Sequence, residues 1–182
     1  MQDTTQQYDR VMHVCQDVFA RKMDDYGASW RVMRPSSITD QLYMKALRVR
    51  SIEKKGIAKI NEGAAPEFIG IVNYAIMGLV QLEHEEHVPF TRDEIMNLYS
   101  GYARKAKALM IDKNHDYDEA WRHMRATSYT DLILMKIHRV KQIEDHRGAT
   151  TVSEGIDANY LDMINYAVFA LVRLLETSPT SN

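Results

Sequence analysis

The chain has 182 residues, 45% of them apolar, and a formal net charge of −2. That length holds one ordinary domain or two small ones with a real core, and the near-neutral charge lacks the basic footprint of a general nucleic-acid binder. Eight glycines and four prolines leave little room for the tight turns of a sandwich or barrel, so an all-α chain is expected. A lone cysteine, Cys15, cannot form a bridge within the chain and fits a reducing compartment. No basic stretch followed by an apolar one follows Met1. The longest apolar run, Ile71 to Val80, is interrupted by Asn73 and reaches about half a membrane span. A cytoplasmic protein without a membrane segment is expected.

The chain repeats itself. A shift of 91 residues lays Lys22 on Lys113, and half of the positions from Lys22 to Glu53 are then identical to those from Lys113 to Glu144. After a one-residue insertion, Glu62-Gly63 meets Glu154-Gly155 and Asn73-Tyr74-Ala75 meets Asn165-Tyr166-Ala167. Upstream, Tyr8 meets Tyr99. The register implies a tandem duplication into residues 1–90 and 91–182, joined near His87 to Thr91.

Each repeat reads as three helices. The first is expected over roughly Tyr8–Asp24 and Thr91–Lys113, with Thr91-Arg-Asp-Glu94 as a capping box. A polar, aromatic connector follows, Tyr26–Pro35 and Asp116–Ala126. The second helix is predicted to open at Ser37-Ile-Thr-Asp40 and Ser128-Tyr-Thr-Asp131 and to reach about Lys55 and His146. The third is predicted over Pro66–Glu86 and Gly155–Glu176, with Pro66 in the first turn, where a missing N–H is tolerated. Six such helices with short links make an all-α bundle, and matched halves pack about a pseudo-two-fold axis as a homodimer would. Self-association into a homo-oligomer stays open.

Chemistry concentrates on the later helices of each repeat. On the third helix, Ile156, Tyr160, Met163, Ile164, Ala167, Leu171 and Leu174 share one face, with Glu154, Asp162 and Asn165 opposite. Phe169 and Ala158 lie on the acidic side too, so the helix reads as covered on both faces. The acids then either form a solvated edge or line an interior cleft, where buried carboxylates need partners or a metal. On the second helix, Asp131, Lys136 and Arg139 recur at the spacing of Asp40, Lys45 and Arg48. Two readings are open: an interhelical ion-pair network, or phosphate contact by Lys and Arg. The connector aromatics Tyr26, Trp30, Tyr117 and Trp121 either stack on a base or anchor the connector on the core. His84-Glu-Glu-His87 has a chelating spacing but reads as a solvated helix end. No HExxH, CxxC, P-loop or GxGxxG is present in the sequence.

Lys-x-x-Asp-Tyr-x-x-x-Trp, a helix carrying Lys-x-x-Arg, then Glu followed by Asn-Tyr-Ala, resembles the nucleotide modification associated domain, type 1, over nearly the whole chain, twice. The family's acidic helix is in turn similar to that of the all-α nucleoside triphosphate pyrophosphohydrolases (MazG and helical dUTPase type). The resemblance implies Mg²⁺ on helical carboxylates. Carried over position by position, Glu154, Asp162, Asn165 and Tyr166 match the pattern, while Ala158 replaces the middle aspartate. In the first repeat Glu62, Asn73 and Tyr74 match, but Pro66 and Gly70 stand at both aspartate positions.

The implied activity is hydrolysis of a nucleoside triphosphate to a monophosphate and pyrophosphate, in the second repeat. Glu154 and Asp162 would hold Mg²⁺ with Glu144 nearby, and Lys136 and Arg139 would take the phosphates. Asn165, Trp121, Tyr117 and Asp131 would contact substrate, as would Lys45, Arg48 and Asn73, the first-repeat counterparts of Lys136, Arg139 and Asn165. The rival readings are a nucleotide-binding module without hydrolysis and a helical interaction module.

Overall fold

Asp3 caps the first helix, α1 (Thr4–Tyr26), by accepting from the Thr5 N–H at 2.9 Å, so the helix starts one turn before the position expected from periodicity. The computed structural model describes residues 3–55, 60–151 and 154–177, and among these all regular structure is helical. Gly27, at φ +62°, ends α1 and returns its N–H to the Met23 carbonyl at 2.8 Å. A 3-10 turn, Ser29–Val32, leads to α2 (Pro35–Lys55) and then α3 (Ile60–Glu83). The second repeat runs through α4 (Arg92–Tyr117), a 3-10 turn at Ala120–His123, α5 (Ala126–Asp145) and α6 (Ile156–Thr177).

The capping box at Thr91 is present as expected: Thr91 Oγ1 accepts from the Glu94 N–H at 3.2 Å and Glu94 Oε2 from the Thr91 N–H at 2.7 Å. Two expected starts are corrected. Helices α2 and α5 open at Pro35 and Ala126 rather than at the serines, because Ser37 and Ser128 already donate their N–H groups to the carbonyls of Arg34 and Arg125. Pro35 suits this first position, its ring presetting the helical φ. Helix α3 begins at Ile60, which puts Pro66 inside it rather than in its first turn. The side chain of Glu62 lies outside the described residues.

Reciprocal contacts define the pseudo-two-fold. Tyr8 donates to Asn165 Oδ1 at 2.8 Å, and Tyr99 to Asn73 Oδ1 at 2.8 Å. Thr39 donates to Glu144 at 2.7 Å and Thr130 to Glu53 at 2.6 Å. Lys141 pairs with Asp40 at 2.9 Å, and Arg50 with Asp131 at 2.7 Å. These last four contacts join the start of one second helix to the end of the other, so α2 and α5 run antiparallel. Each bond has its image in the other half, which is the signature of an isologous interface made within one chain.

Helices α3 and α6 occupy the centre, each packed against the other and against its own second helix. Tyr160 fits over Gly78, where an added Cβ would come within 2.7 Å of its ring. Residues Gly63–Glu83 are long and apolar enough to cross a membrane, but just over half of that stretch is buried against protein here. Cys15 is fully buried, and burial pushes its thiol up to about 12.

Candidate functional site

The two halves carry one constellation in two states. In the second half, α6 presents the buried Asp162 to two lysines from different helices. Lys136 Nζ of α5 lies 2.7 Å from Asp162 Oδ2, and Lys113 Nζ of α4 lies 2.5 Å from Oδ1. Asp162 and Lys136 side chains are only 5% and 10% exposed, whereas Lys113 is 46% exposed. Burial alone would lower the Lys113 pKa, but its hydrogen bond to Asp162 and that carboxylate's charge together raise it. Beside this cluster, Trp121 is buried face to face with Phe169, the centroids 4.2 Å apart and the planes within 5°. The Arg122 guanidinium lies 4.3 Å from the Trp121 ring centroid.

In the first half, Lys22 and Lys45 stand at the positions of Lys113 and Lys136, and Trp30 at that of Trp121. Gly70 replaces Asp162 and Met77 replaces Phe169. Here the constellation is a cavity of about 560 Å³, lined by Lys22, Lys45, Trp30, Gly70, Tyr74 and Met77 among others. Lys45 reaches across Gly70, where an added Cβ would meet its Cε at 2.7 Å and its Nζ at 2.9 Å. Its ammonium also lies 5.5 Å from the Tyr74 ring centroid and 3.6 Å from Glu67, which Arg48 approaches at 3.4 Å. Lys22 is exposed and makes no ion pair among the described residues. The volume falls in the range of small-molecule sites, and the lining joins apolar walls to two ammonium groups.

The remaining expected site residues are placed as follows. Glu154 is exposed just before α6 and lines a second, more polar cleft of about 620 Å³ together with Lys136 and Arg139. Glu144 faces the other half, accepting from Thr39, whose hydroxyl is also 2.6 Å from that of Tyr160. Burial raises the Glu144 carboxyl above its ordinary value despite that hydrogen bond. Asp131 is taken by Arg50 across the same interface, and Tyr117 is 70% exposed. Asn165 accepts from Tyr8 and donates to the Ala106 carbonyl at 3.0 Å, and Asn73 repeats this with Tyr99 and the Cys15 carbonyl at 3.1 Å. Both amides are therefore engaged in holding the halves together. Trp30 and Trp121 are buried and anchor their connectors, while Trp30 also borders the cavity.

Mg²⁺ is the group implied for this site, and the donor set does not fit it. Each oxygen of Asp162 already faces an ammonium group, and no cluster of three or more His, Cys, Asp or Glu able to hold a metal occurs among the described residues. A carboxylate shared by two lysines is an ion triad, not an open ligand.

A family model described as nucleotide modification associated domain 1 matches residues 22–82 and 113–174, once in each half. The chain belongs to this family. No curated protein and no solved structure matches the chain. Both domain matches begin on the lysines that face the cavity or Asp162, Lys22 and Lys113, and they span each connector and second helix and most of each third helix. The sequence carries Lys22 and Lys113 only as motif letters, Gly70 only as a lost acid and Phe169 only as a sign that the third helix is covered, and it gives no signal for Glu67. The invariance of the two lysines between the halves was the available signal.

Proposed function

We propose that the chain is a nucleotide-binding protein whose ligand occupies the first-half cavity, with phosphate on Lys22 and Lys45 and the base among Trp30, Tyr74 and the neighbouring methionines. The observation that carries this reading is the coexistence, in one cavity of about 560 Å³ with no carboxylate among its lining residues, of an aromatic wall and two ammonium groups, Lys45 with Glu67 3.6 Å away and Lys22 without an ion pair among the described residues. The description of the family, nucleotide modification associated domain 1, supports the same ligand class.

Binding without hydrolysis is favoured over pyrophosphohydrolysis by the Asp162 triad. Metal-assisted hydrolysis needs carboxylates free to coordinate, and the acid that the resemblance assigns to the metal is neutralised by Lys113 and Lys136. The test is a thermal-shift series with ribo- and deoxyribonucleotides in EDTA and in Mg²⁺, since a ligand of the folded state raises apparent stability. Stabilisation in EDTA, lost in Lys22→Ala/Lys45→Ala and without pyrophosphate release, is the expected result. Failure of every nucleotide to stabilise the chain, or stabilisation that survives the double substitution, overturns the reading.

A further inference from the structure

The second half displays, in its own side chains, the groups that are missing from the first. Three of five positions are common to the two constellations: Lys22 and Lys113, Lys45 and Lys136, Trp30 and Trp121. The two that differ are Gly70 against Asp162 and Met77 against Phe169, and all five first-half members line the cavity. In the second half the differing residues supply an anion between the lysines and a flat ring on the tryptophan.

We propose that the first-half cavity takes a nucleoside 5′-monophosphate, its base stacked on Trp30 as Phe169 stacks on Trp121, and its phosphate between Lys22 and Lys45 as Asp162 lies between Lys113 and Lys136. The second half is closed to the same ligand because Asp162 and Phe169 fill it. This inference rests on the nucleotide reading above and adds the number of phosphates and the site count.

Charge sets the phosphate number. A monophosphate carries about −1.5 to −2 near neutral pH, which Lys22 and Lys45 match while Arg48, 3.4 Å from Glu67, offsets the carboxylate beside Lys45. A triphosphate brings further charge toward Glu67, which already lies 3.6 Å from Lys45. Length agrees as well. Gly70 and Met77 are two helical turns apart on α3, about 10 Å along the axis, the scale of a nucleoside monophosphate extended from phosphate to base. Lys45 lies across Gly70, and the atoms that an aspartate side chain there would meet belong to the flexible end of that lysine. The second half shows that the fold accepts aspartate at this position of the third helix.

The experiment is calorimetric titration of the full chain in EDTA with the common ribo- and deoxyribonucleoside 5′-monophosphates. The matching triphosphates, the free nucleosides and inorganic phosphate serve as comparisons. At least one monophosphate is expected to bind at one site per chain, at least tenfold tighter than its triphosphate, its nucleoside or phosphate alone. Gly70→Asp and Met77→Phe are each expected to weaken it at least tenfold while leaving the melting temperature within a few degrees of wild type. Asp162→Gly/Phe169→Met is expected to raise the count to two sites. If that double variant does not fold, the two first-half substitutions still decide the matter. Tighter triphosphate than monophosphate binding overturns the proposal and leaves the nucleotide reading standing. So does monophosphate binding indifferent to Gly70→Asp and Met77→Phe, or a folded double variant that keeps one site. Absence of binding by every nucleotide overturns both.

Discussion

Tyr99 of α4 donates its hydroxyl to Asn73 Oδ1 of α3 at 2.8 Å, joining the second half to the first through a bond buried in the core. Its image, Tyr8 to Asn165, has the same length. Burial raises both phenols well above their ordinary value, so they stay donors across the usable pH range. Tyr99→Phe and Tyr8→Phe each leave an asparagine oxygen without its donor in an apolar surround. Each is expected to lower stability by about 1–3 kcal/mol, measured as a shift in the urea midpoint at unchanged slope. A loss below about 0.5 kcal/mol in both would show that these two bonds add little to what holds the halves together.

Asp162 predicts an asymmetry between its two lysines. Asp162→Ala strands the buried Lys136 ammonium and is expected to cost about 3–5 kcal/mol. Lys113→Ala, removing the half-exposed partner, is expected to cost about 1 kcal/mol or less. Lys136→Met in the Asp162→Ala background should recover most of the loss, because the stranded charge goes with it. Because the Lys113 pKa is raised on folding, its contribution is fully present below the ordinary lysine value and fades as pH climbs through the raised one. Acid-to-neutral melts should therefore show no inflection from Lys113.

Much of this fold was legible because the two halves act as a comparison of sequences. The repeat exposed the helix order, and the Thr91 capping box fixed the start of α4. Helix starts at Pro35 and Ala126 were less legible, since serines two positions later mimic a cap. The retention of Asn73 and Asn165 looked like ligand contact, yet each amide is engaged at both ends by the cross-half tyrosine and a backbone carbonyl. Conversely, Gly70 looked like a site stripped of its acid. Only tertiary placement shows that, with Gly70 in place of the acid, both lysines line a cavity, Lys45 paired with Glu67 and Lys22 unpaired among the described residues. Periodicity places residues on a helix face, but not the lysines that α1 and α4 bring to it.

Glu53 and Glu144 give a pH signature for the interface between α2 and α5. Burial raises both carboxyls, against the lowering effect of the hydrogen bonds from Thr130 and Thr39. Between the ordinary carboxylate value and the raised folded value, the unfolded chain releases its proton first, so stability falls as pH rises through that window. Glu144→Gln and Glu53→Gln keep an acceptor for the threonine and remove this penalty. Each is expected to stabilise the protein at neutral pH by roughly 0.5 kcal/mol, discounted for partial exposure. The gain should vanish below the ordinary carboxylate range. Thermal melts from pH 4 to 8 that show a pH-independent difference would contradict the assignment.

The two tryptophans supply a site-specific optical test, because the chain contains no others. Trp121 is covered by Phe169 on one side and approached by Arg122, whereas Trp30 borders the open cavity. A purine or pyrimidine stacked on Trp30 quenches its emission by direct ring contact and leaves Trp121 unaffected. In Trp121→Phe, which retains Trp30, a saturating nucleotide is expected to quench most of the emission. In Trp30→Phe the same titration should change emission by less than about a tenth, and affinity should fall by the roughly 1–3 kcal/mol that base–aromatic stacking contributes. Equal quenching in the two variants would place the ligand away from Trp30. Quenching confined to Trp30→Phe would place it against Trp121, in the half that Asp162 and Phe169 already fill.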